Sequence, residues 1–198
     1  MPNEIPLAVV GGDVPGATSD VREEVLVRIT QGSILTDQSL QYFSVRANIY
    51  TLEGLHDGVY EGEYQLTEKF ADVFNRPPQP VPPFNVPQGP VYPVPINAYT
   101  KGLWTFSDGS SIAAVGTANF HAVKGSFGSN GGVLLWITGD QFITGGTGLY
   151  AGVKGLKTLG GSANMPTVPT QLSELFVART VDAFRIIRGE FIGAGPFG

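Results

Sequence analysis

Thr100-Lys101-Gly102-Leu103-Trp104-Thr105-Phe106-Ser107-Asp108-Gly109-Ser110-Ser111-Ile112-Ala113-Ala114-Val115-Gly116 is the stretch that decides the fold class. Two runs rich in aromatic and β-branched residues flank Asp108-Gly109, and glycine supplies the positive φ that a tight hairpin turn demands. A strand over Asn97 to Ser107 is therefore expected to fold back against one over Ser111 to Val123. Ser129-Asn130-Gly131-Gly132 marks a second turn of this kind, ahead of Val133-Leu134-Leu135-Trp136-Ile137.

Outward from this hairpin the apolar residues keep a period of two, broken by glycine and Asp-Gly or Asn-Gly signals, as in an antiparallel meander. The remaining strands are expected over Glu24 to Thr30, Gln41 to Thr51, Val59 to Lys69, Gly132 to Thr144, Ala151 to Gly161 and Phe176 to Arg188. Gly 27 and Pro 15 in 198 residues argue against a helical protein. Eight antiparallel strands can remove their exposed edges by closing on themselves. The expected architecture is all-β: one domain over 1–198, an eight-stranded antiparallel β-barrel with an N-terminal extension over 1–22.

Residues 75–95, Asn-Arg-Pro-Pro-Gln-Pro-Val-Pro-Pro-Phe-Asn-Val-Pro-Gln-Gly-Pro-Val-Tyr-Pro-Val-Pro, interrupt the meander. Proline cannot donate to a strand ladder, so this stretch reads as an extended loop. It is either a surface linker or a semi-rigid lid over one barrel mouth, with Phe84, Val86, Val91 and Tyr92 as its apolar side.

Twelve Lys and Arg face 17 Asp and Glu, a net charge of -5, and no basic run occurs, so nucleic acid is excluded as a partner. Charged residues are only 15% of the chain, against about 25% in average soluble domains. A surface this neutral, with Val133 to Ile137 apolar on both strand faces, predicts a homodimer or homotrimer. The absence of cysteine removes disulfides, cysteine zinc sites and thiolate nucleophiles. The first 24 residues hold only the short apolar patch Ile5 to Val10 with no basic residue before it, so no signal peptide is expected and the location is expected to be cytoplasmic. No apolar run is long enough for a membrane span.

Gly146-Thr147-Gly148-Leu149-Tyr150-Ala151 has the spacing of a dinucleotide-binding turn. That turn must open a helix, whereas residues 152–161 alternate like a strand and are rich in glycine, so no NAD or FAD site is expected. His56 and His121 are lone histidines without further ligand types at useful spacing, and no G-x-S-x-G elbow exists. No metal and no cofactor are expected.

Residues 142–155, Phe-Ile-Thr-Gly-Gly-Thr-Gly-Leu-Tyr-Ala-Gly-Val-Lys-Gly, resemble the I-[TS]-G-G-[TS]-G-x-[FY]-x-G-[AV]-x-G element of the allene oxide cyclase and dirigent-like β-barrel superfamily. The hairpin over Thr100 to Gly116 also resembles that of the superfamily, and the likeness spans Asn97 to Gly161. It implies an eight-stranded antiparallel barrel, often oligomeric, with an elongated apolar cavity whose members cyclise or steer reactive intermediates without a cofactor.

Such chemistry needs an apolar cavity and one or two inward polar groups. The second strand puts Tyr42, Ser44, Arg46, Asn48 and Tyr50 on one face and Phe43, Val45, Ala47 and Ile49 on the other. With the polar face inside, Arg46 and Tyr50 would polarise a carbonyl; with it outside, they form a solvated face. Glu61 and Glu63 share a face, and Glu63, if buried, would act as general acid or base. Trp104, Phe106, Trp136 and His121, with Phe84 and Tyr92 of the loop, are the expected substrate contacts, core filling being the alternative. In the last strand Asp182 shares its face with Phe184 and Ile186, opposite Arg179 and Arg185, so Asp182 and Arg185 cannot pair within the strand and could pair across to neighbours. The function expected is a cofactor-independent cyclase or isomerase acting on an apolar natural-product or oxylipin-like intermediate. A lipocalin-like carrier, a dirigent-type guide for a coupling reaction and a filled structural barrel are the alternatives.

Overall fold

The computed structural model describes residues 22–39, 41–69, 96–127, 132–165 and 177–188. Eight strands, β1 (Arg22–Ser39), β2 (Tyr42–Tyr50), β3 (His56–Leu66), β4 (Ile96–Phe106), β5 (Ser111–Phe127), β6 (Gly132–Thr147), β7 (Lys154–Met165) and β8 (Val177–Arg188), follow one another in chain order. Each pairs antiparallel with its neighbours and β8 returns to β1, closing the expected barrel. No α-helix occurs among the described residues, and none of their helices is long and apolar enough to cross a membrane.

The first strand is longer than the alternation indicates. Its second half, from Gln31 to Ser39, is polar and reads as a loop, yet it is held by β2 over Ile29 to Ser39 and by β8 as far as Ser33. Between β6 and β7 the glycine-rich turn includes a 3-10 turn, Gly148–Tyr150, so β7 starts at Lys154 and not at Ala151.

At the expected Asp-Gly turn, Gly109 has φ 83° and donates its N–H to the Phe106 carbonyl at 3.0 Å. Asp108 accepts from the Ser110 amide at 2.8 Å and from its hydroxyl at 2.6 Å, fixing the hairpin by a short polar side chain. Arg28 pairs with Asp57 at 2.5 Å, and Asp57 also accepts from the Ser107 hydroxyl at 2.9 Å, tying β1 and β3 to this turn.

All the tight connections, 51–55, 107–110 and 148–153, sit at one end of the barrel. There Ile49, Phe106, Ile112, Ile143, Val153 and Ile186 are buried and fill the lumen. The connections β1–β2, β3–β4, β5–β6 and β7–β8 leave from the other end. The Pro-rich stretch 75–95 with Phe84 and Tyr92, and the turn at Asn130-Gly131, belong to these connections and lie outside the described residues, as does the N-terminal extension.

Candidate functional site

The lumen is not uniformly apolar. β7 turns Lys157 inward and β8 turns Asp182 inward; their side chains are each 2% exposed and meet at 2.9 Å. Asp182 also accepts from the Thr30 hydroxyl on β1, from Trp104 Nε1 on β4 at 3.3 Å and from the Thr180 hydroxyl at 3.4 Å. Lys157 Nζ lies 4.4 Å from the centroid of the Trp104 ring. Removing two ions from water costs several kcal/mol each, and only good pairing with further hydrogen bonds offsets it. Four donors from four strands supply that here. Burial pulls the Lys157 ammonium below the ordinary lysine value, against the opposing pull of Asp182.

Above this pair stand Tyr60 and Tyr64 of β3, their hydroxyls 2.9 Å apart. Burial raises both phenols, Tyr64 to about 12 and Tyr60 well above its ordinary value, so both are protonated hydrogen-bond donors at neutral pH. The Tyr60 ring lies 4.5 Å from Trp104, and Phe43 stacks on Tyr64 at 5.0 Å with Phe120 edge-on to both. Two glycines opposite each other in the β3–β4 ladder, Gly62 and Gly102, make room for these rings. A Cβ on Gly102 would stand 2.6 Å from Tyr60 and 2.8 Å from Trp104; one on Gly62 would stand 2.0 Å from the Tyr60 hydroxyl.

Lys157, Asp182 and Trp104 form the floor of a cavity of about 40 Å³ walled by Tyr60, Phe43 and Phe120, with half-buried Tyr64 and Ala178 among its lining. One water takes roughly 30 Å³ and drug-sized ligand pockets run to roughly 300 Å³ or more. The described cavity is therefore far smaller than a drug-sized pocket, and below its floor packed isoleucine and phenylalanine stand where the family resemblance implies a long apolar cavity. One buried polar atom beside it has no partner: Gln141, opposite Lys157 in the β6–β7 ladder, donates to the Thr100 hydroxyl at 2.5 Å, but its Oε1 accepts nothing.

Of the residues singled out in the sequence, Trp104 lines this cavity. Phe106 is buried below it, 5.2 Å from Tyr150. Phe84 and Tyr92 lie outside the described residues, and Arg46, Tyr50 and Glu63 do not reach the lumen, because β2 and β3 turn their apolar faces inward and leave their charged faces in water. Arg46 pairs with Glu61 at 3.7 Å on the outer surface, and Tyr50 stands on the same face, edge-on to His56. Glu63 is also outside, where Lys101 at 2.8 Å and the Tyr42 hydroxyl hold its carboxyl below the usual glutamate value. Trp136 is 54% exposed, beside half-buried His121 on the outer face of the β5–β6 ladder. A second, open concavity of about 560 Å³ lies on that outer surface, between Glu61, Glu63, Lys101, Leu103, Val115 and Thr144.

The residues missed by sequence reading are Lys157, Tyr60 and Tyr64, together with the lumen role of Asp182. An acid in phase with Phe184 and Ile186 was the available signal. Among the described residues no group of three or more His, Asp or Glu stands together as a metal site.

No protein-family model matches the chain, and no curated protein matches it. Among solved structures the chain is similar to the pterocarpan synthase dirigent protein GePTS1, with 10% sequence identity and a TM-score of 0.41, covering 87% of this chain and 89% of that one.

Proposed function

We propose that the lumen site binds the polar head of a small, mainly apolar molecule and isomerises or cyclises it by proton transfer, with no cofactor. The observation that carries this reading is the fully buried Lys157–Asp182 pair at the closed end of an aromatic-walled cavity. A carboxylate in a water-poor site is a competent proton acceptor, and in the Tyr60–Tyr64 pair, where one hydroxyl donates to the other, the second O–H is left to hydrogen-bond an oxygen that gains negative charge. Lys157 keeps the site neutral while a proton moves. Positioned acid–base catalysis contributes roughly 10²- to 10⁴-fold.

Isomerisation leaves the mass unchanged and alters retention, so the reading is tested by incubating the protein with a panel of short enones, dienones and hydroxylated polyenes and separating the products by chromatography with mass detection. Same-mass products are expected with the wild type and a loss of at least about 100-fold with Asp182→Asn. A compound that stays bound and chemically unchanged would support the carrier or dirigent-type reading instead. That second reading draws on one observation, that Asp182 already has four internal donors.

We further propose that the chain self-associates through its outer face. Val115, Phe142 and Leu156 lie side by side across β5, β6 and β7, with Leu103 nearby on β4, all exposed. Neighbouring apolar side chains left in water favour burial against a second copy.

A further inference from the structure

We propose that Lys157 is an amine nucleophile that captures a small aldehyde or ketone as a Schiff base at the floor of the lumen cavity. This rests on the lumen site being a binding site and narrows its ligand to a carbonyl compound.

Placement is the first ground. Lys157 is buried and lines the cavity, 2.9 Å from a carboxylate that can accept its proton. Lys101, by contrast, is exposed, and Glu63 holds its ammonium above the ordinary value. Burial acts on Lys157 in the opposite sense, towards the uncharged amine that attacks carbonyl carbon.

Charge is the second ground. The ammonium passes one proton to Asp182, the amine adds to the carbonyl carbon, and the C–N bond replaces the C–O π bond to give a carbinolamine. The carbinolamine then loses its hydroxyl as water, with the proton returned through Asp182. The product is a protonated imine: one positive charge on nitrogen, one negative charge on Asp182, one water released. The buried charge balance is therefore the same before and after reaction. Thr30, Thr180 and Trp104 hold the carboxylate independently of Lys157, so it stays in place while the amine is consumed.

Size is the third. A cavity of about 40 Å³ has room for the carbonyl head of a ligand and not for its whole chain, and the Tyr60 phenol lines that cavity as a hydrogen-bond donor toward the carbonyl oxygen.

Pentane-2,4-dione is a suitable probe because its imine rearranges to a vinylogous amide that absorbs in the near ultraviolet. With the wild-type protein at neutral pH, peptide mapping should place the adduct on Lys157 at least 10-fold ahead of every other lysine. Lys157→Met should lose the absorption band. Mapping on the wild type does not depend on any variant folding. Modification of exposed lysines first, or no band at all, overturns the proposal. Pentane-2,4-diol, with the same skeleton and no carbonyl, separates the two readings when Trp104 fluorescence is followed in a Trp136→Phe background. A response to the diol without an adduct from the dione defeats the Schiff base and leaves the lumen site standing. No response to either defeats both.

Discussion

Lys157 and Asp182 meet diagonally across the β7–β8 ladder. Lys157 stands opposite Phe184 and Asp182 opposite Leu159, so their 2.9 Å contact skips one rung. Diagonal neighbours on one face are roughly 7–8 Å apart at the backbone, a gap a lysine side chain spans. The offset leaves Phe184 and Leu159 flanking the pair, apolar on both sides.

A buried pair set in apolar walls should be costly to break and cheaper to remove. Lys157→Met alone is expected to destabilise by about 3–5 kcal/mol because it strands a buried carboxylate. The Lys157→Met/Asp182→Asn double variant should lose much less than the two single losses added together. A urea double-mutant cycle with additive losses would count against the pair being coupled.

Trp104 serves Asp182 through one N–H and Lys157 through its ring face. Trp104→Phe keeps a ring and removes the donor at 3.3 Å, and a hydrogen bond to a charged group is worth about 1.5–3 kcal/mol. The unfolding free energy should fall by that amount, read as a lower urea midpoint at unchanged slope; an unchanged midpoint would show that the indole N–H contributes nothing.

Alkaline pH should unfold the barrel through its tyrosines. Tyr60 and Tyr64 hold their protons more tightly when folded than their ordinary value of 10, so the stability they lend is complete below pH 10 and declines as pH rises toward the Tyr64 value of about 12. Lys157, with a lowered value, acts with the opposite sign in the range below 10.5. Tyr64→Phe should flatten the alkaline decline, read as the urea midpoint against pH. A decline as steep as in the wild type would remove Tyr64 as its cause.

Gly102→Ala should cost about 1–3 kcal/mol, the usual penalty for overpacking, because the added methyl meets Tyr60 and Trp104 at once. Near-ultraviolet circular dichroism should change with it, since both rings must shift. Unaltered stability and spectrum would mean that the rings have slack.

On the outer face, sedimentation should find a dimer or trimer. Phe142, 65% exposed and opposite Leu156 in the β6–β7 ladder, is the side chain to test. Phe142→Asp should give a folded monomer. A monomeric wild type at high concentration would end the self-association reading.

The barrel was legible because strands such as β2 alternate cleanly and Asp108-Gly109 can do little other than turn. The lumen site was not, for a reason visible in β7. Its inward face carries Gly155, Lys157, Leu159 and Gly161, and its outward face Lys154, Leu156, Thr158 and Gly160. Each face mixes one cation, one leucine and glycine, so the period of two carries no sign of which is inside. β2 is the reverse case: its faces differ sharply, and only the choice between lumen and solvent was open. Burial of Phe43, Val45, Ala47 and Ile49 settles it in favour of the apolar face. Asp182 and Arg185, which cannot pair with each other within the strand, pair across to neighbours, Asp182 with Lys157 on β7 and Arg185 with Glu23 on β1.

Closure of the barrel also brings Arg22 and Arg188 opposite each other in the β1–β8 ladder, where Glu24 binds the Arg188 guanidinium. The first and last strands are therefore ordinary ladder neighbours, and nothing in the hydrogen-bonded ring marks where the polypeptide begins. A circularly permuted chain, with residue 188 linked through a short turn to residue 22 and new ends cut between Asp108 and Gly109, would retain all eight ladders. In such a chain Trp104 and Ile112 would sit near opposite ends of the sequence while remaining neighbours in space.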